Sequence, residues 1–594
     1  MNKAAILHIP ASEMAYYENK DELHLQLQSA HNDLADVTVL VGEVSGNNND
    51  SWRYESFFMQ KTFATRYHDY WEVTLKLNKN EAQYVFKVTD TYGNVGLYDA
   101  QRLCEATEEN ANSPHGFIIE NRDMRQVTQI PDWVTKTVWY QIQIDRFANG
   151  NDNLAKLSEN EDNTTQILGG DLTGILSKLD YLQNLGINGI VLSSIFEGDG
   201  PFKLTTNDFY SIDSQFGNKD LFKMLVSNLH RRNMKVVLKM NLAYLSDNSR
   251  QWREILEEGQ HAKYVDWFNI KGFPPKYSQD PHNKNIVRAN YKFSELNPHY
   301  PTLNLKNPEV QTYLIQAIKY WVEHFEIDGL ILDHADKLSR EFVHLLNRNL
   351  KKMKPDFYLV GKSEMSNTSV VQLGDFDAMT DDALGNLLLN FARDKKIAAS
   401  EFKYQLSRQM LAQNTKLSRV TLRTLDDLTS SRILTRCREN KALMRSLLTF
   451  MYLLKGSPAI TYGTELGLSG HDFPSNLAGM DWNQEDQDDK MMRFIKVLNN
   501  FRLQNYKILS EGSFEWGQIS DSYDYVSFIR RKDKRRLFAL FNFGYNGIKF
   551  VLPKHAKLIL GQNIIDEKSE IGQYGFVILE AYLEIISKYA FLVI

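Results

Sequence analysis

The stretch IDGLILDHADK, residues 327 to 337, carries two branched apolar pairs into Asp333, a carboxylate where a buried strand should end. Two chemistries fit an acid in that place. It can attack as a nucleophile, or it can cap the helix that follows. Other chemistry-bearing residues stand at similar strand ends: Lys239 in LKMNLAY, Lys362 and Glu364 in LVGKSEM, and Asp426 and Asp427 in LDDLTSSR. Aromatic residues make up 12% of the chain, and their rings stack on sugar faces as readily as they fill cores.

Something must bring these positions together, and the pattern of apolar residues says what. Residues 1–125 alternate apolar and polar positions, as in LHLQLQSA and WEVTLKLNK, which predicts an amino-terminal β-sandwich. From about 126 to 507 the runs VWYQIQI, NGIVLSS, MKVVLKM, GLILD, FYLVGK, FDAMT, RVTLRT and PAITYG alternate with helical stretches. In one of these, LTGILSKLDYLQNLG, Ile175, Leu176, Leu179 and Leu182 share a face. Strands alternating with helices predict an α/β protein built on a (β/α)8 TIM barrel, with chemistry at the carboxyl ends of its strands. Residues 242–305 are too long and too rich in Asn, Pro and aromatics for a simple connection, so they form an excursion after the third strand. Residues 508–594 return to short strands, ending in GQYGFVILE and an apolar tail, and predict a carboxyl-terminal β-sandwich.

Bulk properties narrow the function. At 594 residues the chain exceeds one ordinary domain. A net charge of −5 gives no basic surface for nucleic acid. Cys104 and Cys437 are far apart, without zinc or disulfide spacing, and fit a reducing cytoplasm. The opening MNKAAILHIP is broken by His8 and Pro10, and the closing AYLEIISKYAFLVI is shorter than the roughly 20 residues a span needs. Neither predicts a membrane anchor, so the expected location is the cytoplasm.

The motifs VWYQIQIDRFANG, GGDLTGILSKLDYLQNLGING, FGNKDLFKMLV, YPTLN and GSPAITYGTELGL resemble the neopullulanase, cyclomaltodextrinase and maltogenic amylase branch of the alpha-amylase superfamily, glycoside hydrolase family 13. The resemblance covers nearly the whole chain. It implies retaining hydrolysis of α-glucosidic bonds, with one carboxylate attacking the anomeric carbon and a protonated one about 5 Å away serving the leaving oxygen. It also implies that the amino-terminal sandwich builds a dimer.

Asp333 matches the nucleophile position of that family. The positions around it do not match. The family Arg is replaced by Ile331, the acid Glu by Lys362, and the His-Asp pair by Leu428 and Thr429 at the stabiliser position. Lys239, Ala243 and Tyr244 stand where the family has Asp, Asn and His, and Leu204 and Thr205 where it has Tyr and Asp. The later GDE motif reads Gly463, Thr464, Glu465. The reading is a neopullulanase-like protein whose catalytic apparatus is lost or severely impaired, a pseudoenzyme that keeps the fold and maltooligosaccharide or cyclodextrin binding. Two alternatives stand beside it: an active α-glucan hydrolase or transglycosylase using Asp333 with a displaced acid such as Glu364, Asp426 or Asp427, and a non-catalytic subunit of an active amylase.

Candidate substrate contacts are Trp252, Trp267, Phe268, Tyr300, Glu364 and Asp427, each weighed against a core, capping or solvated role. No cofactor is required. The resemblance brings in one metal, a calcium ion that Asn149, Asn151 and Asp171 could help to hold. The crowded rings Trp52, Phe57, Phe58, Tyr67, Tyr70 and Trp71 fit the implied homodimer, or a heteromer with an active homologue. Lys239 and Lys362 should flank Asp333 across neighbouring strands. Either could replace the missing Arg by a charge-assisted contact.

Overall fold

A computed structural model describes the chain outside residues 11, 13, 18–20, 45–51, 78–80, 108–114, 121–129, 151–165, 281, 283–286, 295–296, 364–375, 412–414, 483–488, 552–555, 566–568 and 583–594. The chain divides into two compact units. One comprises Met1–Thr128, Asn390–Lys416 and Glu511–Ile594, the other Gln129–Leu389 and Leu417–Ser510. The stretch Asn390–Lys416, inside the range expected for the barrel domain, packs with the first unit.

The second unit contains a closed parallel barrel. Its strands in order are Trp139–Ile142, Gly189–Leu192, Lys235–Asn241, Gly329–Asp333, Tyr358–Gly361, Ala378–Asp381, Leu422–Arg423 and Ser457–Thr461, and the last pairs with the first. Each overlaps one of the apolar runs read from the sequence and runs past it by at most one residue. Parallel strands covered by helices are buried on both faces, which is why they show as near-continuous apolar runs rather than alternation. Inside, Val191, Val237, Ile331, Val360, Ala378, Leu422 and Ala459 form an apolar layer. It closes the barrel beneath the carboxyl ends of the strands.

The helical stretch after the first strand is split. Leu172–Ser177 and Leu179–Asn184 meet at Lys178, whose amide bonds back only three residues, to the Ile175 carbonyl at 3.1 Å. Ile175, Leu179 and Leu182 are buried as expected, and Leu176 is half-buried. The excursion after the third strand holds the helix Arg250–Glu258 and two small antiparallel ribbons, Tyr277–Gln279 with Val287–Ala289 and Phe293–Ser294 with Asn297–Pro301.

The first unit is built from antiparallel sheets. Strands Ala15–Tyr17, Glu22–Ala30, His68–Lys76 and Gln60–Ala64 make one sheet; Tyr54–Phe58, Leu34–Gly42, Glu81–Asp90, Val95–Tyr98 and Leu103–Glu105 make the other, with Phe117–Glu120 added to Glu81–Asp90. Leu23, Leu25, Leu27, Val37, Val39, Trp71, Tyr84 and Phe86 fill the core between them. Toward the carboxyl terminus, Glu570–Tyr582 is the spine of a six-stranded sheet, pairing with Arg535–Asn542, Ile548–Lys549 and Lys557–Ile564. GQYGFVILE lies on this strand. The residues of the apolar tail from 583 on lie outside those described.

Among the described residues no helix is long and apolar enough to cross a membrane.

Candidate functional site at the barrel mouth

Alternation along the strands decides what enters the mouth. Val237 and Ile331 belong to the apolar layer, so Lys239 and Asp333, two residues further on, rise from it on the same inward face. The same step carries Lys362 above Val360. Third and fourth strands pair with Lys239 beside Ile331 and Asn241 beside Asp333, and the fifth follows with Val360 beside Ile331.

The two lysines choose different partners. Lys239 Nζ lies 3.5 Å from Asp333 Oδ1, with the lysine side chain buried and the aspartate more open. Lys362 takes its direct partners from the turn after the seventh strand. It forms an ion pair with Asp427 and donates to Thr429 Oγ1 at 2.9 Å. Asp427 in turn accepts the Thr429 amide at 2.8 Å and the Thr429 hydroxyl at 2.9 Å, closing a tight turn after the seventh strand. The positions predicted for acid and stabiliser, Lys362 and Thr429, therefore touch each other.

Burial works against the Lys362 ammonium, but the fields of Asp427, Asp333 and Asp382 outweigh it and hold its pKa above the ordinary lysine value. Burial likewise disfavours the Asp427 carboxylate. Lys362 and then Lys239 overcome this and hold it well below the usual carboxylate range. The pair stays charged at neutral pH.

A carboxyl that sequence reasoning missed completes the mouth. Asp382 follows the sixth strand as an exposed residue, and its carboxylate accepts from the Thr380 hydroxyl at 3.4 Å. Its pKa is pushed up to about 6, first by loss of solvation and then by Asp427 and Asp381, against the pull of Lys362 and Lys239. Asp381 beside it is paired with buried Arg423 of the seventh strand. The signal was available in principle: FDAMTDD ends a strand in acids just as GLILD does.

The remaining candidates separate. Asp426 is a structural acid, accepting the Ile433 amide at 2.6 Å and the Thr461 hydroxyl at 2.8 Å. Glu364 lies outside the described residues. Trp252 is only 2% exposed, its ring enclosed by Phe268 and Tyr291 with centroids 4.9 Å away in each case, so its faces are spent on the excursion's own core. Trp252 is thus no sugar platform, and Phe268 is buried with it. Trp267 is buried as well, donating to Glu309 at 3.2 Å. Tyr300 is half-buried on the ribbon Asn297–Pro301, and its hydroxyl pKa is raised mainly by burial. Glu465 is fully buried and accepts from the hydroxyls of Tyr140 at 2.6 Å and Tyr181 at 2.8 Å, tying the first strand to the helix after it.

Asn149 and Asp171 adjoin each other through the Asp171 amide, which donates to the Ala148 carbonyl at 2.8 Å. One Asp171 carboxylate oxygen is spent on the Gly174 amide at 2.6 Å, as the cap of the helix Leu172–Ser177. Asn151 lies outside the described residues. No group of three or more His, Cys, Asp or Glu among the described residues could hold a metal.

Comparison with known proteins agrees with this architecture. Residues 141–505 match the alpha amylase catalytic domain and residues 1–118 the alpha amylase N-terminal Ig-like domain. The chain is 32% identical over 579 residues to the intracellular maltogenic amylase of Bacillus subtilis (strain 168), covering 96% of both proteins. It is 29% identical over 593 residues to the cyclomaltodextrinase of Geobacillus thermopakistaniensis (strain MAS1), covering 97% of this chain and 99% of that one. A solved cyclomaltodextrinase structure superposes with a TM-score of 0.82 at 25% identity over 98% of each chain. With a matching barrel, a matching amino-terminal domain and relatives aligned end to end, the chain belongs to the alpha-amylase family, in the branch of the maltogenic amylases, cyclomaltodextrinases and neopullulanases.

Proposed function

We propose that this family member is catalytically silent, or nearly so, and that its barrel mouth binds maltooligosaccharide or cyclodextrin without efficient cleavage. One observation carries the reading. The fifth-strand position that would supply the proton is an ammonium locked to Asp427 and Thr429. Retaining hydrolysis needs a protonated carboxyl opposite the nucleophile. A lysine whose pKa is raised gives up its proton too reluctantly to replace one. Asp333 also has a cation 3.5 Å away, which draws on the lone pairs an attacking carboxylate would use. The range 1–125 then serves assembly, as a homodimer or beside an active homologue in the cytoplasm, and 126–507 and 508–594 act as barrel and carboxyl-terminal domains.

The test is turnover of cyclodextrin, pullulan and starch by pure protein, beside calorimetric titration with maltotriose. Hydrolysis should be undetectable or about 10²- to 10⁴-fold below an intact family member, the range expected for losing general-acid help alone. Lys362→Glu alone should not restore it. Robust turnover that disappears in Asp333→Ala would overturn the reading.

A second reading rests on Asp382. A carboxyl raised to about 6 at the same mouth has the protonation behaviour of a general acid, and would serve an active hydrolase with a displaced donor. In that case Asp382→Asn would abolish turnover together with Asp333→Ala.

A further inference from the structure

The excursion after the third strand holds a cluster of titratable side chains that the barrel mouth does not use. His299, on the ribbon strand Asn297–Pro301, sets one ring nitrogen, Nδ1, 2.5 Å from Asp247 Oδ2 and the other, Nε2, 3.1 Å from the Tyr277 hydroxyl. A carboxylate only accepts, so in the neutral ring Nδ1 carries the proton and Nε2 offers its lone pair to the phenol O–H. The order is carboxylate, imidazole, hydroxyl. That is the arrangement by which a histidine base activates a hydroxyl nucleophile, the acid fixing the tautomer and stabilising the imidazolium that forms.

Backbone contacts hold the cluster together. The Asp247 amide donates to the His299 carbonyl at 2.9 Å, and the His299 amide to Asn297 Oδ1 at 3.0 Å. Tyr277 comes from the other ribbon, where it pairs with Ala289, and its ring meets the imidazole edge-on with centroids 5.4 Å apart. The cluster is also open to solvent: Tyr277 and His299 are exposed and Asp247 is half-buried. A second tyrosine–histidine pair, in the first unit, shows what an internal role looks like. There the Tyr84 hydroxyl bonds His8 Nε2 at 2.8 Å, but both residues are buried and the far nitrogen donates to the Gln26 carbonyl rather than to a carboxylate. Burial holds the pKa of the His8 ring down to about 4, which leaves it a weak base.

We propose that Tyr277 is a nucleophilic modification site, a stoichiometric acyl acceptor for neutral activated acyl donors of the ester and thioester class. A phenol is a weak nucleophile at neutral pH because it keeps its proton, and a base that takes the proton as the new bond forms removes that barrier. The phenol oxygen attacks the acyl carbon and forms an ester C–O bond while its proton passes to His299 Nε2. The bond from the acyl carbon to the leaving group breaks, and the leaving group departs with that electron pair and collects the proton from the imidazolium. Nothing is oxidised or reduced. Asp247 behind the ring repels the anionic oxygens of a phosphoryl group, whereas an acyl carbonyl brings no charge. The site is independent of what the barrel mouth binds or cleaves.

The experiment treats full-length protein at pH 7 with N-acetylimidazole, a neutral acyl donor, and follows acetylation of each tyrosine by peptide mass spectrometry. Tyr92 is the standard within the same chain: it is 87% exposed against 42% for Tyr277, and its hydroxyl bonds no histidine among the described residues. Exposure alone would make Tyr92 the faster. Tyr277 should instead react at least about tenfold faster than Tyr92, below the roughly 10²- to 10⁴-fold of a base in a closed active site. His299→Gln can still bond both neighbours but cannot take a proton, and should bring Tyr277 down to the rate of Tyr92. Asp247→Asn should slow Tyr277 several-fold by loosening the ring. Because Tyr92 lies in the other compact unit, the ratio of the two rates stays readable even if a variant lowers the stability of the excursion. Tyr277 reacting no faster than Tyr92, or as fast in His299→Gln as in wild type, would overturn the proposal.

Discussion

Lys362 and Asp427 sit in a nearly dry corner, and each is tolerable only because of the other. Removing one partner of such a pair leaves a buried charge uncompensated, at about 3–5 kcal/mol, whereas replacing both by apolar groups is often close to neutral. Lys362→Met and Asp427→Leu should therefore each lower stability in urea titrations, and the double variant should recover most of the loss. Simple additivity in that cycle would mean the two groups do not interact. Asp382 should behave in the opposite sense. Its folded pKa of about 6 lies above the usual Asp value, so the group favours the folded state fully below about pH 4 and loses that contribution as pH rises through 6. Stability of Asp382→Asn relative to wild type should rise between pH 4 and 6.5; a flat difference would count against the shift. At this scale the sequence reveals residue types but not partners. That Lys239 and Lys362 would both reach the level of Asp333 follows from strand alternation. That Lys362 would prefer Asp427 depends on the turn closed by Thr429, which no local pattern encodes, whereas Asp382 carries in FDAMTDD the same strand-end acid signal that Asp333 carries in GLILD.

At the scale of elements, the opposite end of the barrel is pinned by Asp328, the residue just before the fourth strand. It accepts from His230 at 2.8 Å, Lys235 at 2.9 Å, Lys354 at 3.0 Å and the Val236 amide at 3.1 Å. One carboxylate thus joins the end of the helix Lys219–Arg231, the start of the third strand and the residue capping the helix Arg340–Met353. Burial opposes its charge, but the His230 hydrogen bond and then Lys354 and Lys235 hold its pKa well below the carboxylate range. A depressed acid stabilises above its unfolded pKa of about 4 and loses that contribution as pH falls through the folded value. Asp328→Asn should accordingly lose about 3–5 kcal/mol at pH 7, with the gap to wild type closing as pH falls below about 4. An equal gap at pH 7 and pH 2.5 would show that the role is packing rather than charge. The barrel strands were legible because parallel strands are apolar on both faces. The split at Lys178 was not, since LTGILSKLDYLQNLG keeps a helical apolar period across it and only the tightened turn interrupts the helix. The ribbons of the excursion were equally hidden, because short strands held by their surroundings carry little period of their own.

For the whole molecule the question is what the amino-terminal rings are for. Of the six rings expected at an interface, Trp52 and Trp71 are buried within the first unit, and Trp71 donates to Ser29 Oγ at 3.1 Å. Phe57 and Tyr70 are half-buried, with Tyr70 donating to Gln28 at 3.0 Å. Phe58 and Tyr67 remain, at 74% and 70% exposed. A single exposed ring is ordinary, since much of any protein surface is apolar, so the internal reading explains four of the six without a partner. The other two carry the expectation of assembly. Rings that anchor an interface typically lose about 2 kcal/mol or more of binding on truncation, a thirtyfold change in dissociation constant. Light scattering should therefore find a dimer at micromolar concentration, and Phe58→Ser with Tyr67→Ser should shift it toward monomer without lowering the melting temperature of the separated chain. A wild-type monomer throughout that range would end the dimer proposal. A dimer untouched by the double substitution would keep assembly but move its contact away from these rings, leaving Phe58 and Tyr67 as plain surface.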